Sequence, residues 1–150
     1  MSNRIVIIGA GSTNFGLGIV GDFFKSKILS GSTLVLHDIN SETLKNTHNI
    51  ALSFKEKLGV DFNIVSTTSR TEALQNADFC LISIEVGSRF DLWEQDWKVP
   101  LQYGIKQVYG ENGGPGGLFH AMRQIPAIIK ICEDIEKICP EAFIFSYSNP

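Results

Sequence analysis

The sequence has little cysteine and no long apolar run, and these shortages exclude several classes of protein. Its three cysteines, Cys80, Cys132 and Cys139, share no Cys-x-x-Cys spacing, so they predict reduced, buried thiols rather than disulfides or a metal site. No run approaches the roughly 18 apolar residues of a membrane span, and the apolar stretch before Gly9 is too short for a signal peptide. We therefore expect a cytoplasmic protein without a membrane partner.

The charge and composition are those of an ordinary folded domain. The 13 basic residues are scattered and the formal net charge is −3, which predicts no nucleic-acid partner. Hydrophobic residues make up 43% and charged residues 19% of the chain. We expect residues 1–150 to form one domain with a substantial core.

Short apolar runs bounded by turn residues alternate with segments of helical periodicity along the whole chain. The predicted strands are Arg4–Ile8, Thr33–His37, Phe62–Ser66, Phe79–Ile84 and Ala142–Ser146. The predicted helices are Phe15–Phe24, Glu42–Leu58, Thr71–Gln75, Leu92–Tyr103 and Leu118–Cys139. Two strands are continuously apolar, as strands buried on both faces are. This pattern predicts an α/β fold with a doubly wound parallel sheet in three layers, of the Rossmann type.

The turn after the first predicted strand matches the first two glycines of a dinucleotide-binding fingerprint. Gly9 makes the tight turn, and Gly11 lets a pyrophosphate approach the N-terminus of the following helix. Asn14 stands where a third small residue is usual, so we expect looser packing of that helix on its strand. The predicted contacts of the cofactor in and after this turn are Gly9, Gly11, Ser12, Thr13, Asn14 and Phe15.

The second predicted strand ends at Asp38, followed by Ile39. A carboxylate in this place accepts hydrogen bonds from the adenosine ribose hydroxyls and repels a 2′-phosphate. Asp38 is equally suited to capping a helix or forming a turn, but the preceding glycine turn favours the cofactor role. We therefore predict NAD rather than NADP, with Asp38 and Ile39 among its contacts.

Residues 110–117 contain five of the chain's fourteen glycines, around the single carboxylate of Glu111. Such density indicates backbone that approaches another group closely, and a long predicted helix follows at once. We interpret this segment as a binding loop for an oxygen-rich ligand.

Several segments taken together resemble the N-terminal domain of glycoside hydrolase family 4. They are Gly9-Ala10-Gly11-Ser12, Asp38-Ile39, Gly110-Glu111-Asn112-Gly113-Gly114-Pro115-Gly116-Gly117, Met122-Arg123-Gln124-Ile125-Pro126 and Tyr147-Ser148-Asn149-Pro150. The resemblance covers the whole chain and implies a Rossmann domain like that of lactate and malate dehydrogenases. It further implies a glycosidase outside the two-carboxylate scheme, which uses NAD and manganese.

The resemblance implies a reaction through transient oxidation. NAD oxidises the sugar C3 hydroxyl, a base removes the C2 proton, and manganese polarises the ketone. The glycosidic oxygen then leaves C1, water adds, and the hydride returns to C3. The protein positions the nicotinamide and stabilises the enolate, while the cofactor performs the redox chemistry.

The resemblance also assigns roles to single residues. Asn149 matches the asparagine between nicotinamide and sugar hydroxyls, which makes it a contact of both cofactor and substrate. Glu111 matches a proposed catalytic acid, although a carboxylate there can also hold substrate hydroxyls or cap the next helix. Arg123 either contacts cofactor or substrate, or forms a salt bridge on the helix surface.

The family's metal-binding Cys and His and its catalytic base follow the Asn-Pro strand. The resemblance therefore implies no metal ligand within these 150 residues and a C-terminal metal-binding and catalytic domain outside them. We expect the 150-residue chain alone to be inactive as a hydrolase. For the full-length form we expect a homo-oligomer.

The segment around Leu92 favours an unphosphorylated substrate. Family members that act on 6-phosphorylated sugars have an arginine near the position of Leu92-Trp93-Glu94, which this chain lacks. An α-glucoside, α-galactoside or α-galacturonide is therefore expected, with Arg89 left open as a substitute phosphate ligand. Trp93 and Trp97, four residues apart, either stack on a sugar or pack within the protein.

Two other functions are compatible with part of this set of sequence motifs. The cofactor domain of a 2-hydroxyacid dehydrogenase of the lactate or malate type has the glycine turn, the acidic residue and an Asn-Pro strand. It lacks the segment Gly110–Gly117, which favours the glycosidase. A protein that only binds NAD as a sensor is the third interpretation.

Overall fold

The computed structural model describes residues 2–12 and 16–148, and strands and helices alternate over them. The strands are β1 (Arg4–Ile8), β2 (Thr33–His37), β3 (Asn63–Thr67), β4 (Phe79–Ile82) and β5 (Phe143–Ser146). The helices are α1 (Gly16–Lys25), α2 (Ser41–Leu58), α3 (Arg70–Leu74), α4 (Arg89–Gln102) and α5 (Gly114–Ile138). In the described residues, no helix is both long and apolar enough to cross a membrane.

The five strands form one parallel sheet in the order β3-β2-β1-β4-β5. At its centre, Val6 of β1 pairs with Val35 of β2 and with Cys80 of β4. All three side chains are completely buried, because a parallel sheet is covered on both faces by its crossover helices. The predicted doubly wound Rossmann-type sheet is confirmed.

The chain divides into two compact units. Unit 1 comprises Met1–Ser83 and Asp134–Ser146 and contains the whole sheet. Unit 2 comprises Ile84–Glu133 and Tyr147–Pro150 and contains α4 and most of α5. The sequence had indicated one domain, since no linker or change of composition marks these boundaries.

Helix α2 shows how local sequence determines element bounds. Asn40 is its N-cap, and the side-chain oxygen accepts hydrogen bonds from the backbone of Glu42 at 3.0 Å and Thr43 at 3.2 Å. Gly59 ends the helix in the left-handed region at φ 61°, which glycine adopts without a steric penalty. The predicted range Glu42–Leu58 is therefore correct to within one residue.

The start of α5 differs from its prediction. The helix begins at Gly114 rather than Leu118, so half of the glycine-rich segment is helix. Pro115 suits this first turn, because the N–H that proline lacks has no intrahelical partner there. Helix α4 likewise begins at Arg89 instead of Leu92. The apolar periodicity used for prediction sets in only after these first turns.

The oxidation state and burial of the cysteines agree in most respects with the prediction from the sequence. All three are thiols outside any disulfide, and Cys80 and Cys139 are buried in unit 1. Burial raises the pKa of the Cys139 thiol, so it stays protonated at neutral pH. Cys132 is only half-buried, which corrects the expectation that all three lie in the interior.

Candidate functional site

The turn after β1 lies at the carboxyl ends of the strands, where open parallel sheets bind their ligands. Gly9 has φ 92°, a conformation that favours glycine. The backbone N–H groups of Gly9 and Ala10 donate to the carbonyl of His37 at 2.9 and 3.0 Å. The turn is thus attached to the end of β2.

Asp38 connects this turn to the start of α2. Its Oδ2 accepts a hydrogen bond from the Gly11 N–H at 2.8 Å, and its Oδ1 accepts one from the Asn40 N–H at 2.9 Å. A carboxylate oxygen has two acceptor sites, so each oxygen can also accept a hydrogen bond from a ligand hydroxyl. The sequence predicted that Gly11 and Asp38 act together, and the structure brings them into contact.

Gly11 and Gly16 are needed for packing inside the fold. A Cβ on Gly11 would lie 2.4 Å from Thr43 Oγ1 and 2.8 Å from Asp38 Oδ2. A Cβ on Gly16 would lie 2.2 Å from the Ala10 carbonyl oxygen. Helix α1 therefore approaches the turn closely at Gly16, and the expectation of loose packing is corrected. The spacing Gly9-x-Gly11-x₄-Gly16 is visible in the sequence and places a glycine at this close approach.

The other predicted cofactor contacts are described only in part. Thr13, Asn14, Phe15 and Asn149 lie outside the described residues. Ser12 is exposed and its N–H donates to the Gly9 carbonyl at 3.4 Å. Ile39, next to Asp38, is 91% exposed.

His37 ends β2 beside the glycine turn. Its ring is buried, and Nδ1 lies 3.0 Å from the Thr67 carbonyl oxygen, which requires Nδ1 to carry a proton and donate it. Burial lowers the pKa of His37 against the opposing effect of this hydrogen bond. A neutral, buried imidazole that donates to the backbone at a strand end has a structural role.

Glu111, the candidate catalytic residue, is buried in unit 2 with 6% of its surface exposed. The Nη2 of Arg89 donates to its Oε1 at 3.1 Å. Arg89 Nε also lies 3.7 Å from Glu85 Oε2, and its guanidinium carbon lies 4.3 Å from the centre of the Trp93 ring. Two carboxylates and an aromatic face therefore surround Arg89.

The glycines of residues 114–117 accommodate the side chain of Gln107. A Cβ on Gly114 or Gly116 would lie 2.9 or 2.8 Å from the Gln107 amide. A Cβ on Gly117 would lie 2.9 Å from the Glu111 carbonyl oxygen. The interpretation of the whole segment as a loop is corrected, because these glycines begin a helix and pack against their own unit.

Arg123 of α5 forms a bidentate ion pair with Asp96 of α4. Asp96 is buried at 6% exposure, and its hydrogen bonds raise the pKa of Arg123. Of the two roles that the sequence allowed for Arg123, the structure shows the ion pair. Asp96 was not identified from the sequence, since nothing in its local pattern indicates a buried carboxylate.

A further polar cluster joins α5 to Glu85, in the segment that follows β4. Gln124 Nε2 donates to Glu85 Oε1 at 2.5 Å, and His120 Nδ1 lies 3.8 Å from the same oxygen. Gln124 and His120 are 1% and 2% exposed. Neither Glu85 nor its proximity to His120 was identified from the sequence.

The glycine turn bound to Asp38 and the glycine-rich start of α5 both lie in the part of the chain that matches a known protein family. The family model described as family 4 glycosyl hydrolase matches residues 4–150. The chain belongs to glycosyl hydrolase family 4.

A curated relative supports this family membership. The family 4 chain is 55% identical over 150 residues to an alpha-glucosidase of Erwinia rhapontici. The match covers 100% of this chain and 33% of that protein. The chain therefore spans about a third of the length of the relative.

Solved structures share the fold. A 6-phospho-alpha-glucosidase from gut microorganisms, solved in complex with NAD and Mn²⁺, superposes with a TM-score of 0.87 at 24% identity, covering 100% of this chain and 34% of that one. Malate dehydrogenase of Cryptosporidium parvum superposes with a TM-score of 0.69 at 18% identity, covering 100% and 38%. The dehydrogenase likeness is one of fold, and family membership favours the glycosidase interpretation over the dehydrogenase.

The two tryptophans of the family 4 chain pack within unit 2. Trp93 and Trp97 both contact the Tyr109 ring edgewise, at centroid distances of 5.9 and 6.3 Å. Trp97 Nε1 also donates to the Gln107 carbonyl at 3.3 Å. Over residues 2–12 and 16–148, no group of three or more His, Cys, Asp or Glu is placed to hold a metal ion.

Proposed function

We propose that this family 4 chain is the NAD-binding part of a glycosidase that hydrolyses O-glycosidic bonds through transient oxidation at sugar C3. The observation that carries the proposal is the glycine turn bound to Asp38. Family membership and the relative named alpha-glucosidase support the hydrolytic activity.

The residues around Asp38 fit NAD. The turn lies at the carboxyl end of β1, and helix α1, whose N-terminus suits a pyrophosphate, begins shortly after it. Both Asp38 oxygens keep an acceptor site for a ribose hydroxyl, while a 2′-phosphate would meet a negative charge. NAD is therefore favoured over NADP. The related structure that contains NAD supports the same choice.

NAD would supply reversible oxidation of the substrate. The residues of this chain bind and orient it: Asp38 and the turn hold the adenosine and pyrophosphate parts, with Ile39 next to the ribose. Thr13, Asn14 and Phe15 are proposed as further contacts of the cofactor, and Asn149 would contact both nicotinamide and sugar. We propose that the manganese ligands and the base belong to a C-terminal domain outside these 150 residues, since the chain spans 33% of its relative.

We propose an unphosphorylated α-glycoside as substrate, with an α-glucoside first among the candidates. The relative at 55% identity is named alpha-glucosidase. Arg89, the arginine considered as a phosphate ligand, lies between Glu85 and Glu111. Two carboxylates beside it oppose the approach of a phosphate dianion.

For Glu111 we propose substrate binding instead of proton donation. Its Oε1 accepts a hydrogen bond from Arg89 Nη2, and a carboxylate has further acceptor sites for a substrate hydroxyl. Arg123 is left out of the substrate contacts, because both of its terminal nitrogens are paired with Asp96.

Fluorescence titration with NADH and NADPH tests the cofactor assignment. The chain should bind NADH at least about tenfold more tightly than NADPH, because a charge-assisted hydrogen bond contributes roughly 1.5–3 kcal/mol. Asp38→Ala should weaken NADH binding by a similar factor and remove the preference. Asp22→Ala is the matched control, since Asp22 is an exposed carboxylate on α1 that pairs with Lys25. Equal affinity of the unchanged chain for both nucleotides would contradict the assignment.

Hydrolysis of p-nitrophenyl α-D-glucopyranoside with NAD and Mn²⁺ tests the activity. We expect cleavage by the protein of its natural length and none by the 150-residue chain alone. Manganese-dependent cleavage by the shorter chain would refute the division into two parts. NADH binding without cleavage of any glycoside by the longer protein would favour the sensor.

A further inference from the structure

Glu85 in unit 2 lies between two buried polar atoms that have no hydrogen-bond partner within the described part of the chain. One is the acceptor Gln124 Oε1 and the other is the donor Arg89 Nε. Folded proteins pair nearly all such atoms with protein groups, water or a ligand. These two atoms therefore indicate a bound group that both donates and accepts hydrogen bonds.

The orientation of the Gln124 amide is determined by chemistry. Its Nε2 donates to Glu85 Oε1 at 2.5 Å, and a carboxylate can only accept at that contact. Exchanging the nitrogen and oxygen of the amide would place two acceptors together. Gln124 Oε1 is thus a true unpaired acceptor in a side chain that is 1% exposed.

Arg89 supplies the unpaired donor on the other oxygen of the same carboxylate. Its Nε lies 3.7 Å from Glu85 Oε2, too far for a hydrogen bond, while its Nη2 is engaged by Glu111. Trp93 supports the guanidinium plane at 4.3 Å. The side chains of Glu85 and Arg89 keep 31% and 40% exposure, so a ligand can approach them from solvent, while Arg89 Nε and Gln124 Oε1 themselves are buried.

We propose that Glu85, Arg89 and Gln124 form a hydroxyl-binding cluster that determines specificity for a neutral sugar. A hydroxyl can accept from Arg89 Nε and donate its one proton to Gln124 Oε1, which satisfies both unpaired atoms. A phosphate has no proton for these acceptors at neutral pH and is repelled by Glu85 and Glu111. This inference rests on the proposed glycosidase function and adds the residues that select its substrate.

The test measures binding by the NAD-loaded protein of natural length, with methyl α-D-glucopyranoside and D-glucose 6-phosphate as probes in calorimetry. The unchanged protein should bind the glucoside more tightly. Glu85→Gln should weaken glucoside binding about tenfold or more and strengthen glucose 6-phosphate binding. Gln124→Met, which keeps the volume but removes the amide, should weaken the glucoside without a gain for the phosphate. Glu94→Gln is the control, because it removes an exposed carboxylate of α4.

Hydrolysis is followed in the same variants to separate this inference from the proposed function. The cluster should affect KM for the p-nitrophenyl glucoside more than kcat, whereas a loss of folding would lower the amount of active enzyme and the thermal midpoint. Glucoside binding unchanged in both Glu85→Gln and Gln124→Met would overturn the inference and indicate a resident water only. Failure of the unchanged protein to bind the glucoside would also overturn it. Hydrolysis that continues in either case would leave the proposed glycosidase function standing.

Discussion

At the scale of single residues, Gly16 lies where α1 passes closest to the turn after β1. The Ala10 carbonyl oxygen occupies the space that a Cβ would need, at 2.2 Å. Backbone cannot move aside as the end of a flexible side chain can. We predict that Gly16→Ala destabilises the chain by about 2 kcal/mol, within the range for overpacked interiors. Urea unfolding followed by circular dichroism measures this change.

Gly18 is the matched control for Gly16 on the same helix. A Cβ on Gly18 meets nothing within 4 Å, and the position is exposed. Gly18→Ala should therefore stabilise the chain by roughly 0.5–1 kcal/mol through helix propensity alone. If both substitutions stabilise equally, the close approach of α1 to the turn is incorrect.

At the scale of elements, the ion pair between Asp96 and Arg123 joins α4 to α5. Arg123→Met should destabilise the protein by roughly 3 kcal/mol, because removing one partner leaves a buried charge without compensation. The remaining Asp96 side chain is only 8% exposed. Adding Asp96→Asn should recover part of the loss. A double-mutant cycle by chemical denaturation measures the coupling.

The pair of Glu94 and Lys98 on α4 is the control for this coupling. Its side chains are 55% and 60% exposed, so solvent screens the interaction. Lys98→Met should change the free energy of unfolding by less than about 0.5 kcal/mol. An effect of Arg123→Met as small as that of Lys98→Met would contradict the assigned role of the buried pair.

At the scale of the whole molecule, β5 is an edge strand with exposed apolar side chains. It pairs with β4, and Phe143, Ile144 and Phe145 are 66%, 44% and 49% exposed. An open edge offers unpaired backbone groups to another strand. We predict that the 150-residue chain self-associates through β5 and that Ile144→Lys shifts it towards monomer. Light scattering over a concentration series measures the change in mass.

The control for edge pairing is Ile28→Lys. Ile28 is 90% exposed but lies in the connection between α1 and β2, away from a strand edge. Ile28→Lys should not alter the mass of the chain measured by light scattering. Association through β5 would be refuted if the unchanged chain stayed monomeric over the whole concentration series. It would also be refuted if Ile144→Lys and Ile28→Lys changed the mass equally.

Most of the fold follows from local sequence, because its cues act between near neighbours. The apolar runs at Ile5-Val6-Ile7-Ile8 and Phe79-Cys80-Leu81-Ile82 indicated strands buried on both faces, and both lie inside the sheet. Asn40 and Gly59 marked the ends of α2. The pairing of the glycine turn with Asp38 was also predictable, since β1 and β2 are neighbouring parallel strands in this fold and their carboxyl ends lie side by side.

The sequence alone determined the strand and helix order, the parallel sheet that this alternation implies, the glycine turn and the family resemblance, because each is recognised from short segments that have their own local pattern. Only the tertiary structure decided which distant side chains meet. Asp96 and Arg123 are 27 residues apart, and Glu85 and Gln124 are 39 apart, yet each pair is in contact. Burial then turns such a contact into a strong constraint, since a charge or amide removed from water needs a partner. Nothing in local periodicity specifies that partner.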